Sequence, residues 1–184
     1  MSKRSRDAYA APTVLKPFQK KNPDLVQVVI ETPKGSRNKY EFDPKLRTFT
    51  LSKVLPSGMV FPHDFGFIPS TEADDGDPVD VLILMDEPAF PGCVITSRLI
   101  GVIKGEETKD RQTERNDRLV AVAEESYSHS NVKELEQLNK TFLEEVEAFF
   151  VNYQKEHGKK FKVLGIGDSK EAFRLLRRAI EKAA

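Results

Sequence analysis

Seven residues, Asp74-Asp75-Gly76-Asp77-Pro78-Val79-Asp80, run straight into the apolar stretch Val81-Leu82-Ile83-Leu84. No other junction constrains the chain as tightly, because it sets a dense group of carboxylates at the mouth of the core. A short continuous apolar run reads as a buried strand, so Asp80 stands where a surface turn enters the interior. Gly76 opens backbone angles closed to other residues, and Pro78 fixes its own φ and biases Asp77 towards an extended shape. A turn built this way is stiff. Asp75, Asp77 and Asp80 held in it repel one another, and a cation offsets that repulsion. An ordinary solvated acidic turn is the alternative for an isolated D-x-D; the attached strand argues against it.

Upstream, residues 1–22 are polar, with Pro12, Pro17 and Lys20-Lys21, and read as a tail ahead of a single domain spanning 23–184. Leu25 to Glu31 is rich in β-branched residues and ends at Pro33, which makes a strand whose last acid emerges at the rim. Lys39-Tyr40-Glu41-Phe42-Asp43 alternates, placing Lys39, Glu41 and Asp43 on one face and both rings on the other. Asp43-Pro44 turns the chain into a third strand, about Arg47 to Ser52, completing an antiparallel start. Pro56, Gly58, Pro62, Gly66 and Pro69 then make residues 53–70 a long structured loop.

After the acidic turn come a strand over Asp80 to Met85 and an extended run over Cys93 to Ile103, with Arg98 and Gly101 at bends or rims. Lys104 to Arg118 is hydrophilic and reads as an exposed loop before Leu119-Val120-Ala121-Val122. Leu135, Leu138, Phe142, Val146, Phe149 and Tyr153 fall at steps of three and four, one stripe of a helix over about Val132 to Tyr153. Lys160 to Val163 is a short strand. Asp168-Ser169-Lys170-Glu171 matches a capping box for a final helix that buries Phe173, Leu176 and Ile180. Strands first and helices last predict an α+β, mainly β plan without a βαβ repeat.

Composition removes several classes. Lys+Arg and Asp+Glu are equal at 29, giving zero formal charge, against the positive excess of a general nucleic-acid binder or polybasic membrane protein. Cys93 is the single cysteine, so no intramolecular disulfide forms, and its apolar neighbours suit a buried inert thiol. No apolar window reaches membrane-span length, and the basic N-terminus lacks a following apolar core. A cytoplasmic protein with no membrane partner is expected. Oxygen-rich acids without clustered His or Cys favour Mg²⁺, with Mn²⁺ as an alternative, over zinc. The turn is not an EF-hand, because Pro78 interrupts the ligand register. Metal-assisted attack of water on a phosphoanhydride is the reaction such a site suits.

D-G-D-P-V-D at Asp75 to Asp80 resembles the signature of the soluble inorganic pyrophosphatases of family I. Other segments match in order: Val29 to Glu41 resembles the family's first hairpin, Phe61-Pro62-His63-Asp64-Phe65-Gly66-Phe67-Ile68 its aromatic loop, and Ala148 to Tyr153 its late helix. The resemblance implies a small closed five-stranded OB-like β-barrel with two flanking C-terminal helices, hydrolysing pyrophosphate with several Mg²⁺ ions. It also implies a homo-oligomer, commonly a hexamer in bacteria. Carried over residue by residue, Asp75 and Asp80 bind metals, Asp77 is the catalytic base, and Glu31 holds outer waters or a further metal together with Glu41. Lys39 and Tyr153 bind phosphate oxygens. Without the resemblance, Glu31, Lys39 and Glu41 read as a solvated sheet face and Tyr153 as the end of a core stripe.

The chain also departs from the pattern. Lys53 stands where the family places an Arg, which keeps charge but loses the two-pronged guanidinium fork. Phe65 replaces a phosphate-binding Tyr, and Gln154 replaces a Lys. In the segment corresponding to D-x(4)-D-x-K, Glu107 stands near the first Asp, Asn116 falls on the second, and Arg118 replaces the Lys as a substrate ligand. Asp117 is then the expected metal ligand if the backbone shifts by one residue, since alternation otherwise aims it away. Two other functions compete: a hydrolase of another phosphoanhydride such as a nucleoside polyphosphate, or a non-catalytic OB-like module. An acid-dense rim opposes the second, because it repels a nucleic-acid backbone.

Overall fold

The computed structural model describes residues 11–184, so the first ten residues of the polar tail lie outside the described residues. The rest of that stretch contains a 3₁₀ turn at Pro12–Val14 and a strand β1 (Phe18–Gln19) that pairs with β2 (Asn22–Thr32). Ser70 pins the turn, its N–H donating to the Thr13 carbonyl at 2.9 Å and its hydroxyl to Leu15 at 2.9 Å.

Five strands close on one another. β2 pairs antiparallel with β5 (Asp64–Ile68), β5 with β6 (Val79–Leu84), β6 runs parallel to β9 (Arg118–Ala123), β9 pairs antiparallel with β7 (Val94–Lys109), and β7 returns to β2. The result is the expected closed ring of five strands in a mainly β chain with two helices, α1 (Lys140–Lys155) and α2 (Ser169–Lys182). β10 (Lys160–Gly167) and β8 (Gln112–Arg115) extend β7 beyond the ring.

Alternation along the strands divides the core in two. Val81, Ile83, Leu119 and Ala121 pack with Leu176 and Ala179 of α2. Leu82, Leu84, Val120 and Val122 turn the other way, towards Val146, Phe149 and Phe150 of α1. Both faces of β6 and β9 are covered, which is why they read as unbroken apolar runs rather than alternating ones. Each fully buried aliphatic side chain contributes about 1.5–3 kcal/mol.

Several sequence expectations need correction. β3 (Asn38–Asp43) and β4 (Thr48–Val54) pair antiparallel as expected, but as a separate two-stranded sheet rather than a continuation of β2. Residues 53–70 are not loop throughout, since β5 lies within them and is buried at every position. Its Gly66 resembles a breaker but serves a close approach: a Cβ there would lie 2.1 Å from the Val29 carbonyl oxygen. Lys104 to Arg118 is a hairpin, in which β7 runs on to Lys109 and returns as β8. Its polarity reflects exposure, not the absence of a strand. The penultimate helix starts at Lys140, capped by the Asn139 side chain, while Leu135 sits in a separate 3₁₀ turn. In α2 the buried residues are Ala172, Leu176 and Ala179, with Phe173 and Ile180 only partly covered. Asp168 caps the Glu171 N–H at 2.8 Å, but the Glu171 carboxylate pairs with Lys104 rather than completing the box.

Candidate active site

The acidic turn is pinned at both ends. Ala73 donates to the Asp77 carbonyl at 2.7 Å, Gly76 to the Ala73 carbonyl at 3.2 Å, and Asp77 N–H to the Asp75 carboxylate at 3.1 Å. Below it, the Thr71 hydroxyl donates to Ile68 at 2.6 Å and accepts from Val79 at 2.9 Å, fixing where β6 begins. Gly76 has φ 88°, a conformation that disfavours any side chain.

Asp75, Asp77 and Asp80 line a cavity of about 310 Å³. The β3–β4 hairpin brings Lys39, Glu41 and Lys53 to it, the β7–β9 region Glu107, Asn116 and Arg118, and α1 Tyr153 and Gln154. An adjoining cavity of about 290 Å³ shares Lys39, Glu41, Asp77 and Asp80, and adds Glu31. The expected residues therefore converge, with one exception. Asp117 lines a smaller cavity beside α2, which Asp75, Asp80 and Asn116 also line, its Oδ1 accepting from the Gly105 N–H at 3.0 Å and pairing with Arg115 at 2.7 Å. Asn116 and Asp117 lie in the two-residue break between β8 and β9, and Asn116 lines both this cavity and the larger one.

Arg118 is nearly buried, its side chain 4% exposed. Its guanidinium lies over the Phe150 ring, 4.4 Å from the centroid, and 5.2 Å from that of Phe161, donates to the Asn116 backbone and side-chain oxygens, and faces Asp80 at 3.6 Å. Stacking of this kind suits a planar guanidinium and not an ammonium. The Tyr153 hydroxyl is buried and has no well-formed hydrogen bond among the described residues, although Lys39 is near enough to act on it by its charge and as a donor. A buried polar atom left unpaired is costly, and this one lines the cavity.

The field in the site is mixed. Burial raises Asp77, and Asp75 and Glu41 add repulsion. Burial also raises Asp80 against the pull of Arg118 and Lys39, with Asp75 and Asp77 adding to the rise. Glu31, half-buried with its Oε1 accepting from the Phe42 N–H at 3.0 Å, is pushed by burial up to about 7. For Lys39, burial works to lower the ammonium, but Tyr153, Glu41 and Asp80 outweigh it and hold it above the ordinary lysine value. Glu41 is held below its ordinary value, Lys39 overcoming the effect of burial.

Among the described residues no three His, Cys, Asp or Glu side chains stand close enough to hold an ion unaided. The carboxylates of the turn nonetheless fit a hard divalent cation that keeps waters and shares its shell with phosphate oxygens, as Mg²⁺ does. At Asp80 the pulls of Arg118 and Lys39 each exceed the push of Asp75 or Asp77, and burial is what leaves the carboxyl raised. The histidines lie elsewhere: His63 against Phe142, His129 beside Ser126, and His157 on the Tyr153 ring and carbonyl. Lys159 also reaches the cavity. The only hint of it in the sequence is its position after Gly158.

The chain is similar to known proteins over most of its length. The family model described as Inorganic pyrophosphatase matches residues 28–184. The inorganic pyrophosphatase of Synechocystis sp. is 42% identical over 144 residues, 78% of this chain and 83% of that protein. That of Thermus thermophilus is 36% identical over 169 residues, 90% of this chain and 94% of that protein. The Thermus thermophilus crystal structure superposes with a TM-score of 0.86 at 34% identity, covering 95% of this chain and 99% of that one. A crystal structure from Anaplasma phagocytophilum, titled an inorganic phosphatase, matches with a TM-score of 0.81 at 36% identity over 90% and 96%. The acidic turn, the cation-lined cavity and these likenesses agree, and the chain belongs to the inorganic pyrophosphatase family.

Proposed function

We propose that this protein hydrolyses inorganic pyrophosphate to two phosphates with divalent cations, Mg²⁺ first and Mn²⁺ as an alternative. One observation carries the reading: the three carboxylates of a stiff turn share a cavity with Lys39, Lys53 and Arg118 and with the unpaired Tyr153 hydroxyl. Acids alone would repel a polyanion, and cations alone would bind it without activating water. Asp75, Asp80 and Glu31 would hold the metal ions, Asp75 and Asp80 nearest the attacking water. When bound, the ions supply charge neutralisation and a more acidic water.

This chain's own residues do the rest. Asp77 takes the proton from the water as its oxygen attacks one phosphorus and the bond to the bridging oxygen breaks. Lys39, Lys53 and Arg118 neutralise phosphate oxygens as charge develops on the leaving phosphate, and the Tyr153 hydroxyl donates to another. Asp117, bonded to Gly105 and Arg115, belongs outside this ligand set. Phe65 closes the cavity with a ring and donates no hydrogen bond there.

The same reading covers a domain over 23–184 with the polar segment 1–22 ahead of it, a cytoplasmic location, and self-association, a hexamer being the form to look for by sedimentation. No helix among the described residues is long and apolar enough to cross a membrane. The test is phosphate release from pyrophosphate with and without Mg²⁺, in the wild type and in Asp77→Ala and Asp80→Ala. Activity is expected only with the cation, falling at least about 100-fold in each variant while circular dichroism stays native. Full activity in either variant would remove the roles given to these residues.

A further inference from the structure

Glu107, on β7, is 13% exposed and accepts from three side chains: the Lys159 ammonium, the Gln154 amide and, at 3.4 Å, the Asn116 amide. The end of α1 brings the first two together. Gly158 takes φ 69°, turning the chain back so that the N–H groups of His157 and Lys159 donate to the Gln154 carbonyl at 3.0 and 2.9 Å. Lys159 therefore leaves the helix beside Gln154, and both side chains converge on one carboxylate. Glu114, paired across the hairpin with Glu107, also lines the cavity. Like charges directly opposite on a hairpin destabilise it, so this corner needs a positive charge. A carboxylate offers about four acceptor positions, and three donors already engage Glu107.

We propose that Lys159 is a tethered counter-cation for Glu107: it stands where a divalent ion would otherwise bind, so this end of the cavity meets phosphate through an ammonium and ions bind only around Asp75, Asp80 and Glu31. The inference rests on the pyrophosphatase reading and adds to it how many ions the site takes and what replaces one. The two amides suit it. Asn116 and Gln154 bring no charge: both donate to Glu107, and Asn116 also accepts from Arg118, so the surroundings of Glu107 add no further acid that would attract an ion. The Lys159 charge is felt by Asp77 and Lys53, consistent with an ammonium that faces the cavity.

The test counts Mn²⁺ bound per folded chain, without substrate, by equilibrium dialysis. Lys159→Ala and Lys159→Gln should each bind one ion more than the wild type, because Glu107, opposite Glu114, then loses the cation paired with it. Glu107→Gln should bind the same number as the wild type. An unchanged count in both Lys159 variants, or the loss of an ion in Glu107→Gln, would overturn the proposal. Circular dichroism checks each fold, and Lys159→Gln decides if the alanine variant does not fold. In turnover, Lys159→Ala should raise KM for pyrophosphate about tenfold, the loss of one charge-assisted hydrogen bond, with a smaller change in kcat. A wild type that releases no phosphate with Mg²⁺ would refute the pyrophosphatase reading, a result separable from the ion count.

Discussion

Replacing Glu31 with glutamine should stabilise the metal-free protein at alkaline pH and hardly change it in mild acid. Glu31 is pushed by burial from the ordinary 4.5 up to about 7, while its Oε1 accepts the Phe42 N–H. A carboxyl raised in the folded state favours folding while protonated. Its contribution is complete below 4.5 and is lost as pH rises through about 7. The rise corresponds to a ceiling of about 3 kcal/mol at pH 8.5, and access through the adjoining cavity lowers that to about 2 kcal/mol. At pH 5 the carboxyl is still largely protonated in the folded protein, and the cost stays under about 1 kcal/mol. Glutamine keeps an oxygen for Phe42 and never ionises. Urea unfolding in EDTA at the two pH values, for wild type and Glu31→Gln, measures the difference directly. Equal midpoint shifts at both, or a variant less stable than wild type at pH 8.5, would refute the reasoning.

Two further predictions concern the scaffold and the site. Gly66→Ala should lower stability by at least about 2 kcal/mol, because the added Cβ meets Val29 backbone atoms at 2.1 and 2.9 Å that cannot rotate away. In a thermal melt that is a fall of about 5 °C or more, and a change within 2 °C would count against the close approach. Tyr153→Phe should leave the urea midpoint nearly unchanged or raised, since the hydroxyl makes no well-formed hydrogen bond among the described residues, while lowering kcat/KM by about tenfold. Destabilisation by more than about 1 kcal/mol would show that the hydroxyl has an internal role.

Most of the site could be read from local chemistry. The acidic turn declares itself because Gly76, Pro78 and the apolar run after Asp80 all act within a few residues of the carboxylates. Period-2 alternation likewise presents Lys39 and Glu41 together. What escaped depends on partners distant in sequence. β5 hides among prolines and a glycine because its need for Gly66 comes from Val29, on another strand. The Lys104 to Arg118 hairpin lacks an apolar signal because it projects beyond the ring. Asn116 reaches the larger cavity and Asp117 does not, a difference set in the break between β8 and β9, where no strand period applies. Lys159 meets Glu107 only because Gly158 turns the end of a helix, and neither residue type announces that meeting.

The closed ring also governs how the chain can be made. Val28 pairs with Ile95, and Val81 with Leu119, so the ring shuts through contacts far apart in sequence. Hairpins such as β3–β4 and β7–β8 form in microseconds, whereas ring closure belongs to the slower, millisecond-to-second regime of non-local β topologies. A ribosome releases β2, β5 and β6 well before the parallel partner of β6 emerges at Arg118–Ala123. Until then those apolar strands stand uncovered, the kind of intermediate that chaperones protect. Asp80 meets Arg118 only when β6 locks against β9, and Tyr153 joins them later still on α1, so catalytic competence comes late in the life of the nascent chain.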